Sequence, residues 1–136
     1  MSFREKTAWI TLVSVFLCFS AYFGAIATGY VRGFRSLFLL LICVIGLVVL
    51  QVALHIVAAV TSPREARAPK DEREALIQWR SQSLGYYVLT ALTLGLLVPL
   101  HLGHSALDML NFALLDVVIA TLVVAGAQIV MFRRDA

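Results

Sequence analysis

Charge is scarce in this chain. Asp, Glu, Lys and Arg make up 14% of its 136 residues, against roughly 25% in ordinary soluble domains, while apolar residues reach 61%. A soluble fold of this length needs much polar surface around one core, so this balance, with a mean hydropathy of +0.92, excludes a soluble domain. Cysteine is scarcer still. Cys18 and Cys43 are the only two, both inside apolar runs, and the lack of a Cys-x-x-Cys pair removes thiol redox chemistry. Their expected depths differ, so they are read as buried free thiols rather than a disulfide. The chain has no glycine-rich phosphate loop and no Ser, His and Asp at a common depth, which leaves phosphate-loop and triad-type chemistry without residues. Its apolar runs show no in/out alternation, and that sets a β-barrel aside.

What the chain does have is four continuous apolar stretches, Ala8–Thr28, Leu37–Val60, Tyr86–Leu102 and Leu107–Phe132. Each is close to the ~20 apolar residues that cross hydrocarbon as a helix. The expected fold is an all-α integral membrane protein, one four-helix domain over residues 1–136. The expected helices are about 8–28, 37–60, 71–102 and 107–132, the third with a cytoplasmic lead-in before residue 84. The first stretch follows Arg4 and Lys6 and reaches Ala25-Ile26-Ala27, a small-residue cleavage pattern. It is longer than the 7–15 apolar residues of a signal peptide, so the first helix is expected to stay. Within it, Ser20, Gly24 and Thr28, flanked by Ala21, Ala25 and Gly29, make a narrow seam expected to pack against another helix of the same chain, the alternative being a dimer interface.

Basic residues are unevenly placed. Arg4 and Lys6 precede the first stretch, Arg64, Arg67, Lys70, Arg73 and Arg80 separate the second from the third, and Arg133 and Arg134 follow the fourth; the other side has Arg32 and Arg35. Retention of Lys and Arg in the cytoplasm predicts that both termini and the loop over 61–83 are cytoplasmic, with residues 29–36 and 103–106 outside. The formal charge of +3 does not imply nucleic acid, because these cations sit at helix ends among Glu65, Asp71, Glu72 and Glu74. They read as topology signals and contacts to anionic lipid.

The central loop is the one sizeable hydrophilic segment. Pro63 and Pro69 end the second helix, and Asp71, Glu72 and Glu74 suit the positive end of a new helix, with Arg73 among them. Leu76, Trp79 and Ser83 then form a stripe for the membrane surface, with Trp79 as interfacial anchor. The run Lys70-Asp71-Glu72-Arg73-Glu74, then Ile77 and the apolar residues from Tyr86, resembles small bacterial multi-helix membrane proteins of unknown function that carry a D-E-R-[DE] signature just before a transmembrane helix. The resemblance covers about twenty residues. It implies a bacterial inner-membrane location and carries over no catalytic residues.

Two constellations could bear chemistry. His101, His104 and Asp108 share a face if 101–108 is helical, and two imidazoles with a carboxylate are donors suited to Zn²⁺ or Cu²⁺. Gly103 weakens that helix; the other reading makes the histidines interfacial and structural and Asp108 a helix cap. Asp116 lies inside the last apolar stretch, where an ionisable group is costly and calls for a partner, a proton or a cation. It reads as an ion-coupling carboxylate or as hydrogen-bonded to Thr28 or Tyr30. Gln51 and His55 share a face of the second helix, and an interhelical hydrogen bond is their expected fate. His55 is expected across the bilayer from His101 and His104, which opposes a bis-histidine haem. Small multidrug transporters are similar in size but carry a carboxylate in the first helix, and Ala8–Thr28 has none.

These residues together suggest a non-enzymatic accessory protein without cofactor, acting through its cytoplasmic loop on a cytoplasmic or membrane partner or on lipid. Asp71, Glu72, Arg73, Glu74 and Trp79 are the contact residues of that reading. One alternative is a small homo-oligomeric ion- or proton-coupled transporter using Asp116. Another is an outer-face metal-binding protein using His101, His104 and Asp108.

Overall fold

The computed structural model describes residues 2–134, so the chain ends, expected to be cytoplasmic, lie outside the described residues. Those residues form helices and no strand: α1 (Phe3–Ala27), α2 (Arg35–Thr61), α3 (Pro63–Arg67), α4 (Glu72–Gly95), α5 (Leu97–His101) and α6 (Ala106–Arg134). Four helical runs are long and apolar enough to cross a membrane: α1, α2, the continuous path Glu72–His101, and α6. The contacts group the chain into two compact units, Met1–Pro69 and Lys70–Ala136. Each unit is a helical hairpin.

In the first hairpin, α1 begins five residues earlier than the apolar run because Ser2 caps it. The Ser2 side chain accepts from Glu5 N at 3.2 Å, and an acid in the first turn complements the helix dipole. The helix stops at Thr28, where Gly29 takes φ +71°, a conformation that a Cβ disfavours. Gly29 N donates to Ile26 O at 3.0 Å and Tyr30 N to Ala25 O at 3.1 Å, which is the Schellman arrangement. The chain then returns as α2. Two polar contacts fix the register of the pair. Gln51 Nε2 donates to Ser14 Oγ at 3.3 Å, and Lys6 Nζ donates to Ser62 Oγ at 3.0 Å at the open end. Pro63 occupies the first position of α3, where its missing N–H costs nothing.

Within the first hairpin, the seam expected on α1 does not face α2. Ser20, Ala21, Gly24 and Thr28 are exposed, and a methyl group added at Gly24 would meet nothing within 4 Å. Small residues permit close approach without compelling it. The side of α1 turned to α2 carries Ser14 instead.

The second hairpin packs α4 against α6. Ile77, Ser81 and Gly85 are buried along one side of α4, and a Cβ at Gly85 would overlap Val124 Cγ2 and lie 3.7 Å from Ala120 O. Gln128 Nε2 donates to Ser81 Oγ at 3.1 Å, while Ser81 Oγ donates to Gln78 O at 2.9 Å. Ser81 and Gly85, four apart, are therefore the small pair that lets two helices approach closely in this chain. The turn between α5 and α6 repeats the first one: Gly103 has φ +77°, Gly103 N donates to Leu100 O at 3.2 Å and His104 N to Pro99 O at 3.3 Å.

The helix expected over 71–102 starts at Glu72, with Asp71 in an extended N-cap conformation, and is interrupted at Leu96. Pro99 accounts for the interruption. It has no N–H to give to Gly95 O, so the ladder loses a bond there, and Leu96 N turns to Thr93 O at 3.2 Å.

Candidate functional site

The register of the second hairpin can be followed outward from its contacts. Ser81 faces Gln128 and Gly85 faces Val124, so successive steps of about one turn put Leu89 level with Ala120 and Thr93 level with Asp116. Asp116 is 8% exposed, and its Oδ2 has no hydrogen-bond partner among the described residues. Native structures leave few buried polar atoms in that condition. The helix around it cannot supply a donor, since α6 runs unbroken from Ala106 to Arg134 and its amides are engaged in its own ladder. Phe112, Ala113, Ile119 and Ala120, one turn away on either side, have no polar side-chain atom. Thr28, one of the partners suggested by the sequence, donates its hydroxyl to Gly24 O at 2.8 Å within its own helix.

The interruption of the α4–α5 path falls close to the same level. Gly95, whose carbonyl lacks its ladder donor, is two residues beyond Thr93, or about 3 Å along the axis. Gly95 itself is exposed and a Cβ there would meet nothing within 4 Å, so the break shares a level with Asp116 but opens on an exposed side of the path. The carboxyl was legible in the sequence as the one carboxylate away from the ends of an apolar run. Pro99 already lies inside the helix expected over 71–102, and what the structure adds is the interruption at Leu96.

The three residues of the metal reading do not gather. Leu102 to Ser105 form the turn, so residues 101–108 are not one helix. His101 Nδ1 lies 2.9 Å from Leu97 O in its own helix. Asp108 belongs to a capping box: Asp108 N donates to Ser105 Oγ at 3.2 Å, and Asp108 Oδ2 accepts from Ser105 Oγ at 2.8 Å and Ser105 N at 3.3 Å. Only His104 comes near the carboxylate, with Nδ1 3.9 Å from Asp108 Oδ2, and its ring also meets Phe112 edge-on at 5.5 Å. Among the described residues no group of three His, Cys, Asp or Glu side chains is placed to hold a metal ion.

At the other end of the hairpin, the same register sets Leu76 level with Arg133. Asp71 and Glu72 are exposed, Glu72 and Glu74 lie in the first turn, and Lys70 Nζ donates to Gln78 Oε1 at 2.6 Å across that turn. Arg73 follows Glu72 and is exposed. Trp79 is 76% exposed and Leu76 50%, on the side of α4 away from Ile77 and Ser81. A large indole about one turn inside the level of the terminal arginines has the amphipathic character of an interfacial anchor. Gln51 meets Ser14 across the first hairpin, as an interhelical bond, while His55 Nδ1 lies 2.6 Å from Gln51 O within α2. Cys18 and Cys43 are free and half-buried.

No protein family matches this chain, and neither a curated protein nor a solved structure is significantly similar to it.

Proposed function

We propose that the chain is a multi-pass protein of a bacterial inner membrane, with both termini and residues 61–83 in the cytoplasm, that acts without catalysis as an accessory or regulatory protein through its 62–83 segment. The bias of Lys and Arg supports the orientation. The observation that carries the functional reading is the start of α4, where Asp71, Glu72, Arg73 and Glu74 stand beside exposed Leu76 and Trp79. Trp79 seats the helix in the headgroup layer, and the charged residues before it face a protein partner. Scrambling residues 64–74 at constant net charge should reduce partner recovery in crosslinked pull-downs while leaving membrane insertion intact. Equal recovery from both forms removes this reading.

A second reading rests on Asp116. With Arg133 and Arg134 kept outside the hydrocarbon, the rise of α6 puts Asp116 about 5 Å inside its outer boundary. A carboxyl group retained there carries a cost, though a smaller one than the about 2.5–3.5 kcal/mol of the bilayer centre, and favours a small homo-oligomeric ion- or proton-coupled transporter. Asp116→Asn should abolish pH-dependent flux in proteoliposomes, and full flux in that variant takes Asp116 out of the mechanism.

A further inference from the structure

The state of Asp116 follows from what surrounds it. An ionised carboxylate held in an apolar medium without donors is too costly to persist, so the group needs a counter-cation or a proton. An alkali or divalent cation needs several oxygen ligands. Around Asp116 they are missing: α6 is unbroken and keeps its carbonyls in the ladder, and no cluster of further acidic or imidazole side chains exists among the described residues. A carboxylic acid needs only one acceptor for its O–H. One acceptor is a smaller demand than a cage of oxygen ligands, and the residues one turn away on either side of Asp116 have no side chain that could build such a cage.

No other titratable group of the hairpin competes for the proton. Between Arg80 and His101 the facing helix has only Tyr86 and Tyr87, which are 68% and 70% exposed, and α6 has only Asp108, two turns away in its capping box, and the terminal Arg133 and Arg134. We propose that Asp116 is a proton-binding site, a carboxyl group carrying one exchangeable proton inside the second hairpin, and that its ligand is H⁺ rather than a metal cation. The assignment deepens the second reading above by naming its ion, yet binding can be read without any flux.

The test uses the full-length protein in liposomes. Infrared spectra between acidic and alkaline buffer should show the C=O stretch of a protonated carboxyl that fades as pH rises and is missing in Asp116→Asn. Wild-type protein treated with N,N′-dicyclohexylcarbodiimide gives a measurement that does not depend on any variant folding. The acid proton passes to a carbodiimide nitrogen while the carboxyl oxygen bonds to the central carbon, and an acyl shift to nitrogen leaves a stable adduct of the summed mass. One adduct on Asp116, lost at alkaline pH and indifferent to sodium, is the expected result. An absent carboxyl band, an absent adduct, or suppression of either by sodium at constant pH overturns the proposal. A pH-dependent band and adduct without proton flux would uphold the site and remove the transporter reading alone.

Discussion

Gly85 offers the most direct perturbation of the second hairpin. A methyl group placed there overlaps Val124 Cγ2, and valine has a single side-chain torsion with which to move away. Relief requires the helices to part or Val124 to leave its rotamer, and overpacking of this kind costs about 1–3 kcal/mol. Alanine also favours a helix over glycine by about 1 kcal/mol, so the net loss for Gly85→Ala should be only about 0–2 kcal/mol. A single measurement of that size would be ambiguous, and the sign in a second background is the informative quantity. With Val124→Ala the overlapping methyl is gone, the next atom is Ala120 O at 3.7 Å, and Gly85→Ala should then stabilise by about 1 kcal/mol. The coupling between the two sites is therefore about 1–3 kcal/mol. Reversible unfolding in mixed micelles of rising denaturing-detergent fraction measures all four proteins. Equal stabilisation by Gly85→Ala in both backgrounds would refute the packing of α4 on α6 through this pair.

Three other perturbations have definite signs. Removing Ser81 Oγ and Gln128 Nε2 singly and together should give a coupling of about 0.6 kcal/mol and no more than about 1.7, the range for interhelical hydrogen bonds in bilayers, in the same unfolding assay. A coupling of zero would mean the two side chains do not meet. Asp116→Leu replaces a buried carboxyl that has no Oδ2 partner, so it should raise stability, by less than the about 2.5–3.5 kcal/mol of a charge at the bilayer centre, while ending any proton binding; a loss of stability would reveal a structural partner. Ser105→Ala removes the N-cap of α6 and half of its capping box, and should cost about 0.5–2 kcal/mol, seen as earlier amide exchange in the first turn of that helix. Unchanged exchange there would show that Ser105 does not cap it.

Helix existence was plain in the sequence because continuous apolar runs leave few choices for the backbone. The ends were less so. Hydropathy marks where a run is apolar, whereas α1 starts at a cap set by Ser2 and Glu5, ahead of the apolar residues. Gly29 and Gly103 end their helices through a positive φ that the glycine pattern permits but does not announce. Small-residue spacing alone did not identify which helices pair within a hairpin. Ser20, Gly24 and Thr28 carry the spacing but do not face α2, while Ser81 and Gly85 carry a shorter version and hold the second hairpin together. What separates the two is the facing helix: Gln128 and Val124 are shaped to meet the second pair, and no one-dimensional pattern records that.

Asp116 was legible as a cost, since any carboxyl group inside an apolar run demands an explanation. Its lack of a partner was not legible, because that depends on which residues the register of α4 brings level with it. The histidine cluster failed for a related reason. His101, His104 and Asp108 are close in sequence, but the turn at Gly103 sends the chain back between them and the capping box claims the carboxylate.

Sidedness underlies both the partner segment and the proton site, and labelling of single cysteines reads it most directly. In a chain with Cys18 and Cys43 replaced by serine, Tyr30→Cys and Leu102→Cys should react with a membrane-impermeant maleimide on intact cells. Glu65→Cys should react only after the membrane is opened. Labelling of Glu65→Cys on intact cells, with protection of the other two, would contradict the account.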